Sequence, residues 1–117
     1  MRTQVTTTRT SATVAIVRYT TSEGDRFNGQ ASRIGPDGLF IESSNPLPIG
    51  TKIVVEFALP ESPLEWLEAK GIVAWICPKA DQYEFSQGMG VKFVALSPTV
   101  RRRILQRLRT EGYSDPP

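Results

Sequence analysis

Arginines and carboxylates are the side chains of this chain that could do chemistry. The 117 residues include no histidine and one cysteine, Cys77, which excludes a histidine general base, a histidine-containing zinc site and a thiolate metal cage. Glu61, Glu65 and Glu68 cluster near one loop, and paired carboxylates can act as acid and base. Because no nucleophile motif or glycine-rich phosphate loop accompanies them, solubility is the simpler interpretation. We expect no catalytic residues, no metal and no enzyme activity.

A run of arginines near the C-terminus is the strongest charge feature. Residues 98–111 hold five arginines and one glutamate, a net +4, whereas the remainder holds nine basic and eleven acidic residues, a net −2. Such a cluster favours docking of an acidic protein, anionic lipid or nucleic acid, although a solvated helix face also explains it. Nucleic acid is disfavoured because Tyr113 is the one nearby aromatic residue that could stack on bases. The residues predicted to contact a partner are Arg101, Arg102, Arg103 and Arg107.

Trp66 is a second candidate for contact with a partner. It begins a predicted strand and lies opposite in phase to the inward-facing residues of that strand. If it is exposed, it is a natural anchor for another protein, and otherwise it covers one end of the fold. Trp75 has the inward phase, so we expect it to pack in the core.

The elements that must position these residues are mostly strands. Short stretches rich in β-branched and aromatic residues alternate with turn residues, which is typical of strands. The predicted strands are 12–19, 26–34, 39–42, 51–59, 66–77 and 88–96. In the fourth, Ile53, Val55 and Phe57 share one face. Gly71, in the middle of the fifth, indicates a bulge or bend.

After the last strand the apolar period changes to that of a helix. Ser97 is a suitable N-cap, and Pro98 fits the first helical position. An apolar stripe follows at helical spacing, and Gly112 is a plausible stop. Its residues are Val100, Ile104, Leu105 and Leu108. Strands followed by one amphipathic helix predict an all-β fold, a small six-stranded antiparallel barrel with a C-terminal helix packed on it.

The ends of the chain differ from this central region. Residues 1–10 are polar and threonine-rich, so we expect a flexible tail, followed by the barrel and helix over 11–111 and a loose end over 112–117. The N-terminus has no hydrophobic signal-peptide core. No apolar run approaches the roughly 20 residues that span a bilayer. We therefore expect a cytoplasmic protein with no membrane span.

Four segments, in order, carry a resemblance to a known family. Residues 31–41 (ASRIGPDGLFI) look like its turn between the second and third strands, and residues 46–57 (PLPIGTKIVVEF) like its next strand with the preceding loop. Residues 71–75 (GIVAW) and 88–93 (GMGVKF) look like its last two strands. Over residues 12–109 the chain thus resembles a PilZ domain, and in particular the PilZ-like paralogous domains of motility-related proteins in gliding and predatory bacteria. The resemblance implies a six-stranded barrel whose usual ligand is cyclic di-GMP, a bacterial second messenger.

The resemblance also implies where that ligand would bind. The family usually holds it with Arg-x-x-x-Arg before the first strand and with Asp/Asn-x-Ser-x-x-Gly in the turn after the second. Here Arg9 is followed four residues later by Thr13, so the arginine pair is absent. Arg33 occupies the Asp/Asn position and Gly35 the serine position, and only Gly38 matches. Both ligand motifs are therefore degenerate.

These departures determine the predicted function. Losing two charge-assisted contacts of roughly 1.5–3 kcal/mol each weakens binding by about two to four orders of magnitude. We predict a non-catalytic regulatory or adaptor domain in cyclic di-GMP-linked signalling or motility. It has lost or weakened nucleotide binding, needs no cofactor and acts through an unidentified protein partner. The alternative is a genuine cyclic di-GMP receptor with a site rebuilt from Arg9, Arg18 and Arg33.

Overall fold

The computed structural model describes residues 15–78 and 87–110. The predicted tail 1–10, the loose end 112–117 and the stop at Gly112 lie outside the described residues, as does the start of the first predicted strand. The elements in chain order are β1 (Ala15–Thr21), β2 (Arg26–Gly35), β3 (Gly38–Glu42), β4 (Lys52–Ala58), β5 (Trp66–Cys77), β6 (Gly88–Leu96) and α1 (Pro98–Thr110). The limits of β5 and β6 are those predicted from the alternation of apolar residues.

The six strands form a closed barrel in the order β1-β2-β3-β6-β5-β4. Every neighbouring pair is antiparallel, and the pairing of β1 with β4 closes the sheet on itself. The prediction of a six-stranded antiparallel barrel with a C-terminal helix is therefore confirmed. Closure gives each of the six described strands a neighbour on both sides over most of its length, so none of them is an edge strand.

The barrel interior is filled by the inward-facing residues, which alternate along each of the six strands. Val17, Val55 and Phe57 are each 0% exposed, which confirms the predicted inward face of β4. Ile104 of α1 is also fully buried and belongs to the same core cluster, so the helix extends the core rather than standing apart from it. Burying a large apolar side chain of this kind contributes roughly 1.5–3 kcal/mol.

The start of α1 follows from two neighbouring residues. The Ser97 side-chain oxygen accepts a hydrogen bond from the Val100 backbone N–H at 3.2 Å, and the Ser97 carbonyl accepts one from the Arg101 N–H at 2.9 Å. Pro98 occupies the first helical position, where its missing N–H costs nothing. The predicted N-cap is confirmed.

The predicted packing of Trp75 in the core is wrong. The register of β5 against β6 shifts between Lys70 and Gly71 and again between Val73 and Trp75. The first shift confirms the irregularity predicted at Gly71. The second reverses the alternation, so that Val73 is buried whereas Trp75 is 40% exposed on the outer side of the barrel.

Tyr19 makes the stability of the barrel depend on pH. Burial raises the pKa of its phenol above the usual value of 10.0, and a hydrogen bond with the Ser43 side chain offsets part of this shift. The folded state therefore keeps the proton to higher pH than the unfolded chain does. The resulting stabilisation is complete below about pH 10 and is lost as pH rises through the folded-state pKa.

This dependence predicts a difference between the protein and its Tyr19→Phe variant. We expect the free energy of unfolding to fall more steeply above about pH 10 in the wild type than in the variant, which has no phenol to titrate. Urea unfolding at a series of pH values from about 8 to 11 measures both slopes. Parallel curves for the two proteins would show that the phenol titrates equally in the folded and unfolded states.

Candidate functional site

A cavity of about 740 Å³ opens beside the turn between β2 and β3. The turn forms one wall, and the neighbouring parts of β5 and β6 form the other. The charged and aromatic side chains of the lining belong to Arg33, Asp37, Phe40, Trp75, Lys92 and Phe93. The structure thus brings together three of the predicted ligand positions, Arg33, Gly35 and Gly38. Arg9 lies outside the described residues.

The backbone at Arg33 has an unusual conformation. Its φ is 53°, in the left-handed region, within an irregular stretch of β2 between Ser32 and Gly35. Among residues other than glycine, asparagine and aspartate adopt this region most readily. The turn therefore has the backbone shape that suits the Asp/Asn of the resembled motif, while an arginine supplies the side chain. A hydrogen-bond acceptor is replaced by a cation that can only donate.

Gly35 and Gly38 differ in how far the fold requires them. A Cβ added at Gly35 would meet no atom within 4 Å, so a serine would fit there. A Cβ added at Gly38 would overlap the backbone carbonyl oxygen of Val91 on β6. The φ of Gly38 is not positive, so the fold requires this glycine for the close approach of β3 and β6.

Trp75 forms an aromatic wall of the cavity. Its ring stacks on Phe40, with centroids 5.3 Å apart and an interplanar angle of 30°. Gly90 lies beneath it, and a Cβ there would overlap the indole ring. The indole is therefore held against the sheet by Gly90 on the neighbouring strand β6 and by Phe40 on β3, the next strand in the barrel. Its remaining exposed face could stack on a planar group.

Lys92 is the cation of the cavity that sequence reasoning missed. It is exposed on β6, opposite Gly38 in the ladder and opposite Ile72 on the other side. Its outward phase was readable from the alternation Val91, Lys92, Phe93, but its nearness to Arg33 depends on the pairing of β3 with β6. The cavity thus combines two cations with an aromatic face, a set that suits an anion carrying a planar ring.

Arg18 does not line this cavity, so it does not assemble with Arg33 into the rebuilt site of the alternative prediction. Its guanidinium lies over Trp66, 3.9 Å from the ring centroid, and its Nε is 3.6 Å from Oε1 of Glu56. Trp66 is 38% exposed, which confirms its predicted outward phase. Its contact with a partner stays a prediction.

The predicted basic surface of the helix divides into two sets. Arg103 donates a hydrogen bond to the Ser62 hydroxyl at 3.2 Å, and its guanidinium lies 2.6 Å from the Glu65 carboxylate. Arg107 is 8% exposed and forms an ion pair with Glu61. These two arginines bind the loop between β4 and β5. Because the Arg107 side chain is buried, it offers a partner little surface, and its contact with a partner stays a prediction. Arg101 and Arg102 remain exposed on the helix.

The described part of the chain holds neither a metal-ligand cluster nor a membrane-spanning helix. Across residues 15–78 and 87–110, no group of three or more His, Cys, Asp or Glu side chains lies together as a metal ion would require. In the same residues, no helix has the length and apolar character needed to cross a membrane.

A closed six-stranded barrel with a C-terminal helix and a lined cavity at one turn defines a small ligand- or partner-binding domain. A model of the PilZ domain family matches residues 7–110, and the chain therefore belongs to the PilZ domain family. This membership assigns the chain a regulatory role of the PilZ type.

One solved structure illustrates the shared fold. The chain is similar to the Bacillus subtilis inhibitor of motility (MotI/DgrA), with a TM-score of 0.71, 16% sequence identity and coverage of 89% of this chain. The matched part is 50% of that protein, so the chain spans half its length. At this identity the similarity shows the fold alone. No curated protein matches the chain significantly.

Proposed function

We propose that this PilZ domain is a non-catalytic adaptor that acts through protein contacts and binds cyclic di-GMP weakly or not at all. The observation that carries the proposal is the turn after β2. It has a left-handed backbone at Arg33 and open space at Gly35, but it lacks the acceptor and the hydroxyl of the ligand motif. With two such contacts missing, affinity falls by about two to four orders of magnitude.

Exposed side chains on the outside of the fold support action through protein contacts. Trp66 with Arg18 across its ring combines the two residue types that most often dominate protein interfaces. Leu64 is 95% exposed two residues earlier, and Arg101 and Arg102 remain available on the helix. A protein partner would use such anchors, whereas a solvated monomer gains nothing from them.

The process is proposed from the family and from the similar structure. PilZ domains belong to cyclic di-GMP signalling, and the similar Bacillus subtilis protein is named as an inhibitor of motility. We infer a cytoplasmic role in signalling or motility for this chain.

A calorimetric titration with cyclic di-GMP at physiological salt tests the proposal. We expect no binding heat up to a ligand concentration on the order of a millimolar. The matched variant is Thr13→Arg/Arg33→Asp/Gly35→Ser, which restores both motifs. The change at Gly35 enters open space, and aspartate tolerates a left-handed backbone. We expect this variant to gain binding by about two orders of magnitude or more.

The same titration separates a second candidate, a cyclic di-GMP receptor with an altered site. The cavity favours it, because Arg33, Lys92 and Trp75 could meet the phosphates and one guanine ring. Micromolar binding by the wild type, lost in Arg33→Ala and Lys92→Ala but kept in Arg102→Ala, would establish this receptor and refute the adaptor proposal. Absence of binding in the wild type together with gain in the restored variant would refute the receptor.

A further inference from the structure

An apolar cleft of about 240 Å³ lies on the outer face of the barrel, across β1, β4, β5 and β6 and apart from the cavity at Arg33. We infer that this cleft is a docking site for a segment of another protein that presents an apolar side chain flanked by carboxylates. The inference rests on the proposed adaptor function and names the chemistry of the partner.

The pairing of β4 with β5 arranges lysines and apolar residues alternately. Lys52 lies opposite Ile72, and Val54 lies opposite Lys70, so each apolar residue has a lysine as its direct cross-strand neighbour. All four side chains line the cleft. Diagonal neighbours in such a ladder are about 7–8 Å apart or less. Two positive charges therefore flank an apolar strip that is wide enough for one side chain.

Val94 extends the apolar strip onto β6. In the register of β5 with β6, Lys70 faces Ala95 and Gly71 faces Phe93, which leaves Val94 as the extra residue of a bulge. A bulge redirects a side chain, and Val94 is accordingly 63% exposed at the margin of the cleft. An exposed valine on the rim of an apolar cleft costs solubility unless a partner covers it.

The charges around the cleft are not neutralised by the protein itself. Within residues 15–78 and 87–110, neither Lys52 nor Lys70 forms an ion pair. Glu56, on the neighbouring row of the same outer face, pairs with Arg18, and Glu68 lies directly opposite Glu56. The Glu56 carboxylate is thus paired with an arginine outside the cleft and not with Lys52 or Lys70.

The size of the cleft decides between occupants. A volume of about 240 Å³ accommodates one or two apolar side chains. A second folded copy of this chain would need further contacts outside the cleft to reach the roughly 800 Å² per partner of a stable dimer. A short acidic segment with a leucine or phenylalanine anchor fits both the volume and the charge.

Fluorescence anisotropy with a designed peptide tests the inference without nucleotide. The probe is a short labelled peptide with a leucine pair flanked by glutamates, and its control carries glutamines in their place. We expect saturable binding of the acidic peptide that weakens at least about tenfold in Lys52→Glu/Lys70→Glu and in Val94→Ser. The charge-matched variant Arg101→Glu/Arg102→Glu tests the other predicted partner surface, and unchanged binding of this peptide would place its site at the cleft and not on the helix.

The results overturn the inference in three recognisable ways. Equal binding of the glutamine peptide would remove the role of the lysines, and loss of binding in the helix variant alone would move the site to α1. Binding of anionic vesicles with the same dependence on Val94 and the lysines, but not of the peptide, would identify a lipid surface instead. Because none of these readouts involves cyclic di-GMP, failure of the cleft is distinguishable from failure of the adaptor proposal.

Discussion

Replacing Arg107 with alanine is expected to lower the free energy of unfolding by about 2–4 kcal/mol. The side chain is 8% exposed and pairs with Glu61 in the loop between β4 and β5, so the variant loses a charge-assisted hydrogen bond and the packing of a long aliphatic stem. Urea denaturation monitored by tryptophan fluorescence measures the change.

Two matched variants isolate the cause. Arg101→Ala, on the exposed part of the same helix, should change stability by less than about 0.5 kcal/mol. Arg107→Met keeps most of the stem and should recover part of the loss. If Arg101→Ala and Arg107→Ala lowered the free energy of unfolding by equally small amounts, the contact of Arg107 with the loop would contribute nothing to stability. Arg107 would then be a candidate for contact with a partner.

Gly38→Ala is expected to destabilise the barrel by about 1–3 kcal/mol in the absence of any ligand. The added methyl group overlaps the Val91 carbonyl oxygen, which is fixed in the ladder of β6, so β3 must move away from its neighbour. Thermal or urea unfolding of the unliganded protein reads this effect directly.

Gly35→Ala is the control for this second prediction, because it lies in the same turn and its Cβ would enter open space. Its unfolding free energy should lie within about 0.5 kcal/mol of the wild type. An unchanged Gly38→Ala would mean that β3 and β6 can separate freely, and the glycine would then need a functional explanation. The pair distinguishes a glycine that the fold requires from one that merely occupies a ligand position.

The sequence was sufficient for the architecture because its signals are local. Alternation in 66–77 and 88–96 located β5 and β6 to the residue, and Ser97 with Pro98 located the start of α1. Trp75 was misplaced because alternation holds only while the register is regular, and the shift after Val73 reverses it.

The sites depended on pairings between distant residues, which no local pattern shows. Arg107 and Glu61 are 46 residues apart, and their ion pair places inside the fold a side chain that was predicted to contact a partner. Lys92 joins the cavity only because β6 pairs with β3, a crossover that skips two strands of the chain order. The arginines could be listed from the sequence, but their division into structural and exposed sets required the fold.

Closure of the barrel separates the residues into an inward-facing set and an outward-facing set, which can change independently during evolution. Within the described residues each strand lies between two others, so most of the sheet offers a partner outward side chains rather than an open edge. Because outward residues such as Lys52, Val54 and Val94 alternate with inward ones, they can be replaced without disturbing the core. One barrel can therefore change its outward residues, and with them its partners, while its core and strand order stay the same.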